Sequence, residues 1–274
     1  MSTILKYRLK QTRFLITVVS AAFLLLVLRP SGQAAADEIT VAAAADLTFV
    51  FPEITDKFQK ETGDTVKASF GSSGNFFAQI QNGAPFDLFF SADIGYPKKL
   101  QDAGLVEPDT FYEYAVGRLV LWVPSASSLD LKKGLAVLAD PSVHKIAIAN
   151  PEHAPYGRVA VTALKHENIY DQVSSKFVMG ENISQAAQFV RSGNADIGLL
   201  ALSLALAPSL KEKGRYELVP TPDYPPIEQA AVILKSSQKK EAAKKFLAFI
   251  KRPAIVGLMR NYGFTTPSGA PAGN

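Results

Sequence analysis

Strand-like and helix-like segments alternate along most of this chain, and that alternation constrains the fold more than any other feature. Residues 38–45, EITVAAAA, form an apolar run typical of a buried strand. Residues 47–63, LTFVFPEITDKFQKETG, carry apolar side chains at helical spacing, and Gly63 is placed to end that helix. Because Pro52 lacks an N–H group and fits best in a first turn, the helix is predicted to start near residues 46–48.

The same strand–helix unit recurs further along. The strand-like segments are 65–70, 86–93, 145–151 and 196–202, and the helix-like segments are 75–83, 95–105, 159–169 and 183–193. Strands separated by helices predict an α/β fold with mostly parallel sheets, covered by helices on both faces.

Two long apolar segments flanked by Pro or Gly interrupt this alternation. They are AVGRLVLWVP at 115–124 and IEQAAVILK at 227–235. We expect them to be two crossing strands that join two lobes, the first built from 37–117 and 230–274 and the second from 118–229. Since ligand sites favour clefts between domains, a binding site is expected between the lobes.

The first 36 residues differ in composition from the rest. A basic start precedes a 15-residue apolar run, Phe14–Leu28, and small residues ending at Ala36. This pattern predicts a cleaved signal peptide, because the run is short for a membrane anchor. Cleavage after Ala36 removes five basic and no acidic residues and leaves 24 basic against 25 acidic. The whole-chain pI of 9.1 is therefore no argument for nucleic-acid binding.

The chain contains no cysteine. Disulfides, thiolate metal sites, cysteine catalysis and a lipidated N-terminal cysteine are thereby excluded. An exported chain without disulfides is expected in the bacterial periplasm, where its stability must come from a packed core. The 238 residues after Ala36 are enough for one large domain or two modest ones.

Four loops share one design, in which a strand ends, a few small or polar residues follow and a helix begins. The loops are AAAADL with Asp46, FGSSGN with Ser72 and Ser73, NPEHAPYGR with Tyr156 and Gly157, and GENISQ with Asn182 and Ile183. In a parallel sheet such loops meet at the carboxyl ends of the strands. Their unpaired N–H groups would bind an anion without lysine or arginine. Any one of these polar residues alone is more often a helix cap, so only the combination indicates a site.

Two enzyme hypotheses were considered for the polar residues, a serine nucleophile and a pair of catalytic carboxylates, and the sequence supports both only weakly. The segment GSSG differs from the GxSxG turn of serine hydrolases. Of the three histidines, His144 precedes a strand, His166 lies within a helix, and His153 could face a cleft but has no evident orienting carboxylate beyond its neighbour Glu152. Asp87 and Asp93 are expected to end a turn and to cap a helix. No metal-binding or nucleotide-binding motif is found, so no free metal cation and no cofactor are expected.

Four segments together carry a resemblance to a known family. They are ITVAAAADLTFVFPEITDKFQKETG, VKASFGSSGNFFAQIQNGAPFDLFFSAD, IANPEHAPYGRVAVTAL and GLMRNYGF. In order and spacing they resemble the periplasmic molybdate-binding proteins of bacterial ABC importers. The resemblance implies a type II periplasmic-binding-protein fold, with two lobes on a two-strand hinge. It further implies a monomeric receptor, not an enzyme, that captures molybdate or tungstate and delivers it to a membrane permease.

The resemblance also implies which residues bind the oxyanion. The family's ligand-binding hydroxyl in the first lobe corresponds to Ser73, with Ser72 beside it. The family's hydrogen-bond donors in the second lobe correspond to Tyr156 and to the backbone N–H of Ile183. Some family members have a tyrosine hydroxyl where this chain has Ala201, and we expect Tyr156 to replace it.

Asp46 stands where many family members have serine. A carboxylate facing a dianion is repulsive in a dry site. Our expectation is that its side chain caps its own helix while a backbone N–H at this turn meets the ligand. An inward carboxylate would instead accept the proton of hydrogen phosphate. A phosphate or phosphonate receptor of the same fold is therefore the main alternative, and a sulfate receptor is a further one.

Overall fold

The computed structural model describes residues 36–267. The predicted signal peptide, apart from Ala36, and the C-terminal SGAPAGN segment lie outside the described residues. Between residues 36 and 267 no helix combines the length and the apolar character needed to cross a membrane.

Ten strands within residues 36–267 form two five-stranded sheets. In chain order the strands are β1 Glu38–Ala44, β2 Thr65–Gly71, β3 Leu88–Ser91, β4 Tyr112–Gly117, β5 Leu119–Pro124, β6 Ile146–Ala149, β7 Phe177–Gly180, β8 Ile197–Ala201, β9 Gly214–Leu218 and β10 Ile227–Ile233. The first sheet has the order β2-β1-β3-β10-β4 and the second has the order β7-β6-β8-β5-β9.

The two sheets share one pattern of strand directions. In the first, β1 pairs in parallel with β2 and β3, and β10 is antiparallel to both β3 and β4. In the second, β6 pairs in parallel with β7 and β8, and β5 is antiparallel to β8 and β9. Four strands of each sheet therefore run in the same direction, which confirms the predicted α/β fold with mostly parallel strands.

Ten α-helices connect and cover the strands in the described part of the chain. They are α1 Val50–Thr62, α2 Ser73–Gln81, α3 Gly95–Asp102, α4 Pro155–His166, α5 Tyr170–Val173, α6 Ile183–Arg191, α7 Leu202–Ala205, α8 Pro208–Lys211, α9 Lys240–Ile250 and α10 Pro253–Asn261. Short 3-10 segments span Ala45–Leu47, Leu131–Ala139, Ser174–Lys176 and Thr221–Asp223.

Helix α1 shows how the local sequence sets an element. It ends at Gly63, whose φ of 80° is a left-handed conformation that glycine adopts without strain. The predicted start was too early, because the 3-10 turn Ala45–Leu47 precedes the helix and α1 begins at Val50. Pro52 still lies in the first turn, where its missing N–H costs no helical hydrogen bond.

The chain passes between the sheets twice. Only Arg118 separates β4 in the first sheet from β5 in the second, and the return runs from β9 to β10. We call the first sheet with its helices lobe 1 and the second sheet with its helices lobe 2. Each lobe has its own apolar core, with Phe58 and Phe246 in lobe 1 and Trp122 in lobe 2.

Candidate functional site

A small cavity lies where the two lobes meet; it is partly open, and its empty volume of about 210 Å³ includes open solvent. All five residues predicted to bind an anion line it, namely Asp46, Ser72, Ser73, Tyr156 and Ile183. The other lining residues are Ala44, Ala45, Gly71, Ala92, Ala154, Pro155 and Asn182. No lysine, arginine or histidine is among these lining residues, all of which belong to the described part of the chain.

The double serine lies at the start of α2, directly after β2. Ser72 is the N-cap, and its Oγ accepts the N–H of Asn75 at 3.4 Å. The Oγ of Ser73, a fully buried residue, accepts the N–H of Ala92 at 2.9 Å. A hydroxyl that accepts from the backbone still has its own hydrogen to donate. Both serines are thus placed to donate into the cavity, and neither hydroxyl bonds to a histidine among the described residues.

Gly74, the residue after the double serine, contacts the other lobe. Its N–H donates across the cleft to the carbonyl oxygen of His153, at 2.9 Å, and so is not free for an anion. A side chain at this position would clash, since a Cβ would lie 2.5 Å from the same carbonyl oxygen. The glycine therefore permits close contact between the lobes above the cavity.

Tyr156 is the second residue of α4 and follows Pro155, which has no N–H to offer. Its hydroxyl donates to Asp46 Oδ2 at 3.1 Å, across the interface between the lobes. In this structure the hydroxyl is engaged by Asp46, and its use in place of the hydroxyl missing at Ala201 stays a prediction. What Tyr156 offers the cavity is the backbone N–H of a helix first turn.

Ile183 is the first residue of α6, and its side chain is buried. The N-cap Asn182 accepts the N–H of Gln185 with its side chain, at 3.1 Å, which fixes the helix start. Ser184 Oγ donates to the carbonyl oxygen of Ala45 at 2.9 Å and so ties this helix to lobe 1. The N–H of Ile183 is left at the cavity wall with the positive end of the α6 dipole.

Asp46 departs most from its expected role. Its carboxylate does not cap the 3-10 turn in which it lies; Oδ2 accepts from Tyr156 and, at 2.6 Å, from Gln229 Nε2. The other oxygen, Oδ1, is buried and finds no hydrogen-bond partner in the described part of the chain. Burial raises the pKa of Asp46 to about 6, against the lowering effect of the hydrogen bonds from Gln229 and Tyr156.

Gln229 was missed by sequence reasoning. It lies in β10, a strand of the lobe 1 sheet, and is fully buried. Its Nε2 donates to Asp46, while its Oε1 accepts the hydroxyl of Tyr114 at 2.6 Å. A polar residue inside the apolar run IEQAAVILK was the available signal, because a buried amide needs partners.

The raised pKa of Asp46 predicts a pH-dependent stability for the ligand-free protein. The folded state holds this proton more tightly than the unfolded state, so the stabilisation is complete below the ordinary pKa of 3.8 and is lost as the pH rises through about 6. Asp46→Asn has no charge to bury. The free energy of unfolding of this variant minus that of the parent is therefore expected to increase by up to about 3 kcal/mol as the pH rises from 4 to 8. Urea denaturation at both pH values measures this, and a difference that stays constant would contradict it.

The contacts that close the cleft continue beside the cavity. Arg158 of lobe 2 pairs with Asp93 of lobe 1 at 2.5 Å and donates to Tyr96 at 3.1 Å. Asn75 of α2 also bonds to Glu181 of the loop before α6. Asp93 was expected to cap α3, but the N-cap is Ile94; Asp93, one residue earlier, accepts the N–H of Gly95 with Oδ1 at 2.7 Å.

Comparison with known proteins agrees with this architecture. Residues 39–265 match the family of bacterial extracellular solute-binding proteins. The chain is 40% identical over 246 residues to the molybdate-binding protein ModA of Rhodobacter capsulatus, covering 90% of this chain and 95% of that protein. It is also 40% identical over 231 residues to the protein of that name from Azotobacter vinelandii, covering 84% of this chain and 91% of the relative.

A solved structure extends the likeness from sequence to fold. The periplasmic molybdate-binding protein of Azotobacter vinelandii superposes with a TM-score of 0.79 at 35% sequence identity, covering 84% of this chain and 100% of that structure. The two mixed sheets and these matches lead to one conclusion: the chain belongs to the family of bacterial extracellular solute-binding proteins.

Proposed function

We propose that this protein is the receptor of an ABC importer that captures molybdate or tungstate between its lobes and delivers it to a membrane permease. It works in the periplasm, as a monomer, after cleavage of its signal peptide. Its mechanism is differential binding, in which the anion favours the closed arrangement of the lobes, and no covalent chemistry or cofactor is involved.

The observation that carries this proposal is the chemistry of the cavity wall. Two serine hydroxyls and the N–H groups at the starts of α4 and α6 surround a buried space with no cationic side chain in its lining. Helix N-termini and hydroxyls suit a small anion that offers only acceptors. Molybdate and tungstate are such anions, because both are fully deprotonated at neutral pH. The relatives named for molybdate binding support the same ligand.

One observation favours a second candidate of the same class. The unpartnered Oδ1 of Asp46 would accept a hydrogen bond if the carboxylate were ionised. Hydrogen phosphate and phosphonates carry a proton that such an acceptor could take, whereas molybdate, tungstate and sulfate do not. A phosphate or phosphonate receptor is therefore the competing assignment, and the ligand panel below must include both kinds of anion.

Ligand-dependent stability tests the proposed function directly. An anion present at about 100 times its Kd should stabilise the folded protein by roughly 2.7 kcal/mol. We expect molybdate and tungstate to raise the melting temperature of the mature protein, and sulfate and phosphate to have little effect at equal concentration. Stabilisation by phosphate alone would favour the second candidate. No response to any anion would contradict the receptor assignment.

The hydroxyl of Ser73 is expected to contribute measurably to binding. Ser73→Ala removes a buried donor, so the affinity for molybdate should fall by about 1–3 kcal/mol, or roughly 5- to 150-fold. Ser69→Ala, on the exposed part of β2, is the matched control and should bind like the parent. Isothermal titration calorimetry measures both variants, and an unchanged Kd for Ser73→Ala would refute the role assigned to this hydroxyl.

A further inference from the structure

Asp46 alone among the residues lining the cavity carries a carboxyl group. One oxygen of that group, Oδ2, accepts two hydrogen bonds, from Tyr156 and Gln229. The other, Oδ1, is buried and has no hydrogen-bond partner among residues 36–267. A buried polar atom without a partner is rare in folded proteins and calls for an explanation.

The groups facing Asp46 leave its charge uncompensated. Tyr156 of α4 and Tyr114 of β4 are titratable, and burial raises the pKa of both tyrosines well above the ordinary value. Gln229 of β10 and Ser203 of α7, which donates to the Asp46 carbonyl oxygen at 2.7 Å, are uncharged. From β2, α2 and α6 with their N-caps the cavity receives no charged side chain, only Gly71, Ser72, Ser73, Asn182 and Ile183.

The Arg158–Asp93 ion pair does not change this picture. It lines a separate hollow beside the cavity, and neither residue is among those that line the cavity itself. An ionised Asp46 would therefore face a bound dianion with no cation in the cavity wall.

We propose that the cavity binds its oxyanion together with one proton, which is taken from solvent and held on Asp46 Oδ1, so that the neutral carboxylic acid donates a hydrogen bond to the anion. This inference rests on the proposed function and explains how the same site avoids placing a charged carboxylate next to the bound anion. No bond in the anion is made or broken; the proton moves from water to the carboxylate on binding and returns to water on release.

Geometry favours the protonated acid over the ionised one. The remaining polar groups at the wall are donors, since the serine hydroxyls accept from the backbone and keep their hydrogens for the cavity. A carboxylate there would be an acceptor pointed at another acceptor, in a site with little water. Protonation at Oδ1 turns it into a donor while Oδ2 keeps both of its hydrogen bonds. A carboxylic acid kept neutral by an apolar site is an established kind of donor.

The pH dependence of molybdate affinity tests this inference. Above the pKa of ligand-free Asp46, which burial places at about 6, the Kd of the parent protein should rise by about tenfold per pH unit. Calorimetry in two buffers of different ionisation enthalpy should record uptake of close to one proton per molybdate at about pH 8. This second readout uses the unaltered protein and does not depend on any variant folding.

Asp46→Asn separates the carboxyl proton from other causes of pH dependence. Its amide oxygen can accept from Tyr156 and Gln229, and its NH₂ then occupies the position of Oδ1 as a permanent donor. The Kd of this variant for molybdate should change less than about threefold between pH 7 and pH 9, without proton uptake, whereas the parent should change by about 100-fold.

Each outcome decides between the assignments. A parent Kd that is independent of pH, without proton uptake, would overturn the shared proton while leaving the molybdate receptor intact. Hydrogen phosphate binding that is lost in Asp46→Asn would overturn it in favour of an ionised acceptor. Absence of molybdate binding by the parent at every pH would instead reject the proposed function itself.

Discussion

Replacing Ile183 with proline is expected to remove most of the affinity for molybdate while the protein still folds. Ile183 is the first residue of α6, where proline is well tolerated because that N–H has no helical partner. The preceding residue, Asn182, has φ −147° and ψ 176°, an extended conformation compatible with a following proline. The substitution therefore deletes a single backbone donor. A hydrogen bond to a charged group contributes about 1.5–3 kcal/mol, so the Kd should rise roughly 10- to 150-fold.

Ile183→Ala is the matched control for this substitution. It also removes most of the buried side chain, but it keeps the N–H group. Calorimetric titration of both variants with molybdate isolates the donor, and circular dichroism shows whether each is folded. Equal affinities for the proline and alanine variants would contradict the assignment of this N–H to the ligand.

Gly157→Ala is expected to produce the largest loss of stability. Gly157 lies in the first turn of α4, and a Cβ at this position would overlap the carbonyl oxygen of Ala149 at the end of β6. The three nearest atoms all belong to the backbone of Ala149 and Asn150, so no flexible side chain can move aside and α4 must shift away from the sheet. We expect the free energy of unfolding to fall by about 3 kcal/mol. For a chain of this size that corresponds to a melting temperature lower by roughly 6–12 °C.

The same shift should also weaken binding, because the N–H of Tyr156 moves with the start of α4. Gly257→Ala provides the control, since this glycine lies inside α10 and a Cβ there would meet no atom within 4 Å. Alanine in a helix interior is expected to stabilise by about 0.5–1 kcal/mol relative to glycine. Thermal denaturation of both variants measures the contrast, and equal melting temperatures would contradict the close approach at Gly157.

The fold could be predicted because each strand–helix unit is a local pattern. Apolar runs such as 38–45 mark buried strands whatever they pack against, and Gly63 ends α1 through its own backbone conformation. The helix start was less predictable. The turn Ala45–Leu47 precedes α1, and its residues contact lobe 2 through Ser184 and Ser203, which are more than 130 positions away. Sequence patterns near residue 46 carry no information on those contacts.

In the site, too, features set by local sequence could be predicted, and features set by contacts between the lobes could not. That Ser72, Ser73, Tyr156 and Ile183 meet could be predicted, because parallel strands bring the following loops to one edge of each sheet. The use of each polar group could not. Whether the Tyr156 hydroxyl faces a ligand or Asp46 depends on how the two lobes meet, and the role of Gln229 depends on β10 lying next to β3 and β4.

The central claim is that an uncharged wall of hydroxyl and backbone donors holds a tetrahedral anion between the lobes. Crystals of the mature protein grown with tungstate, measured at a tungsten absorption edge, locate the anion without reference to any assumed ligand position. We expect one strong anomalous peak within hydrogen-bonding distance of Ser73 Oγ and the N–H of Ile183. A peak elsewhere, or one in contact with a lysine or arginine side chain, would show that the anion is bound by charge and not by this cavity.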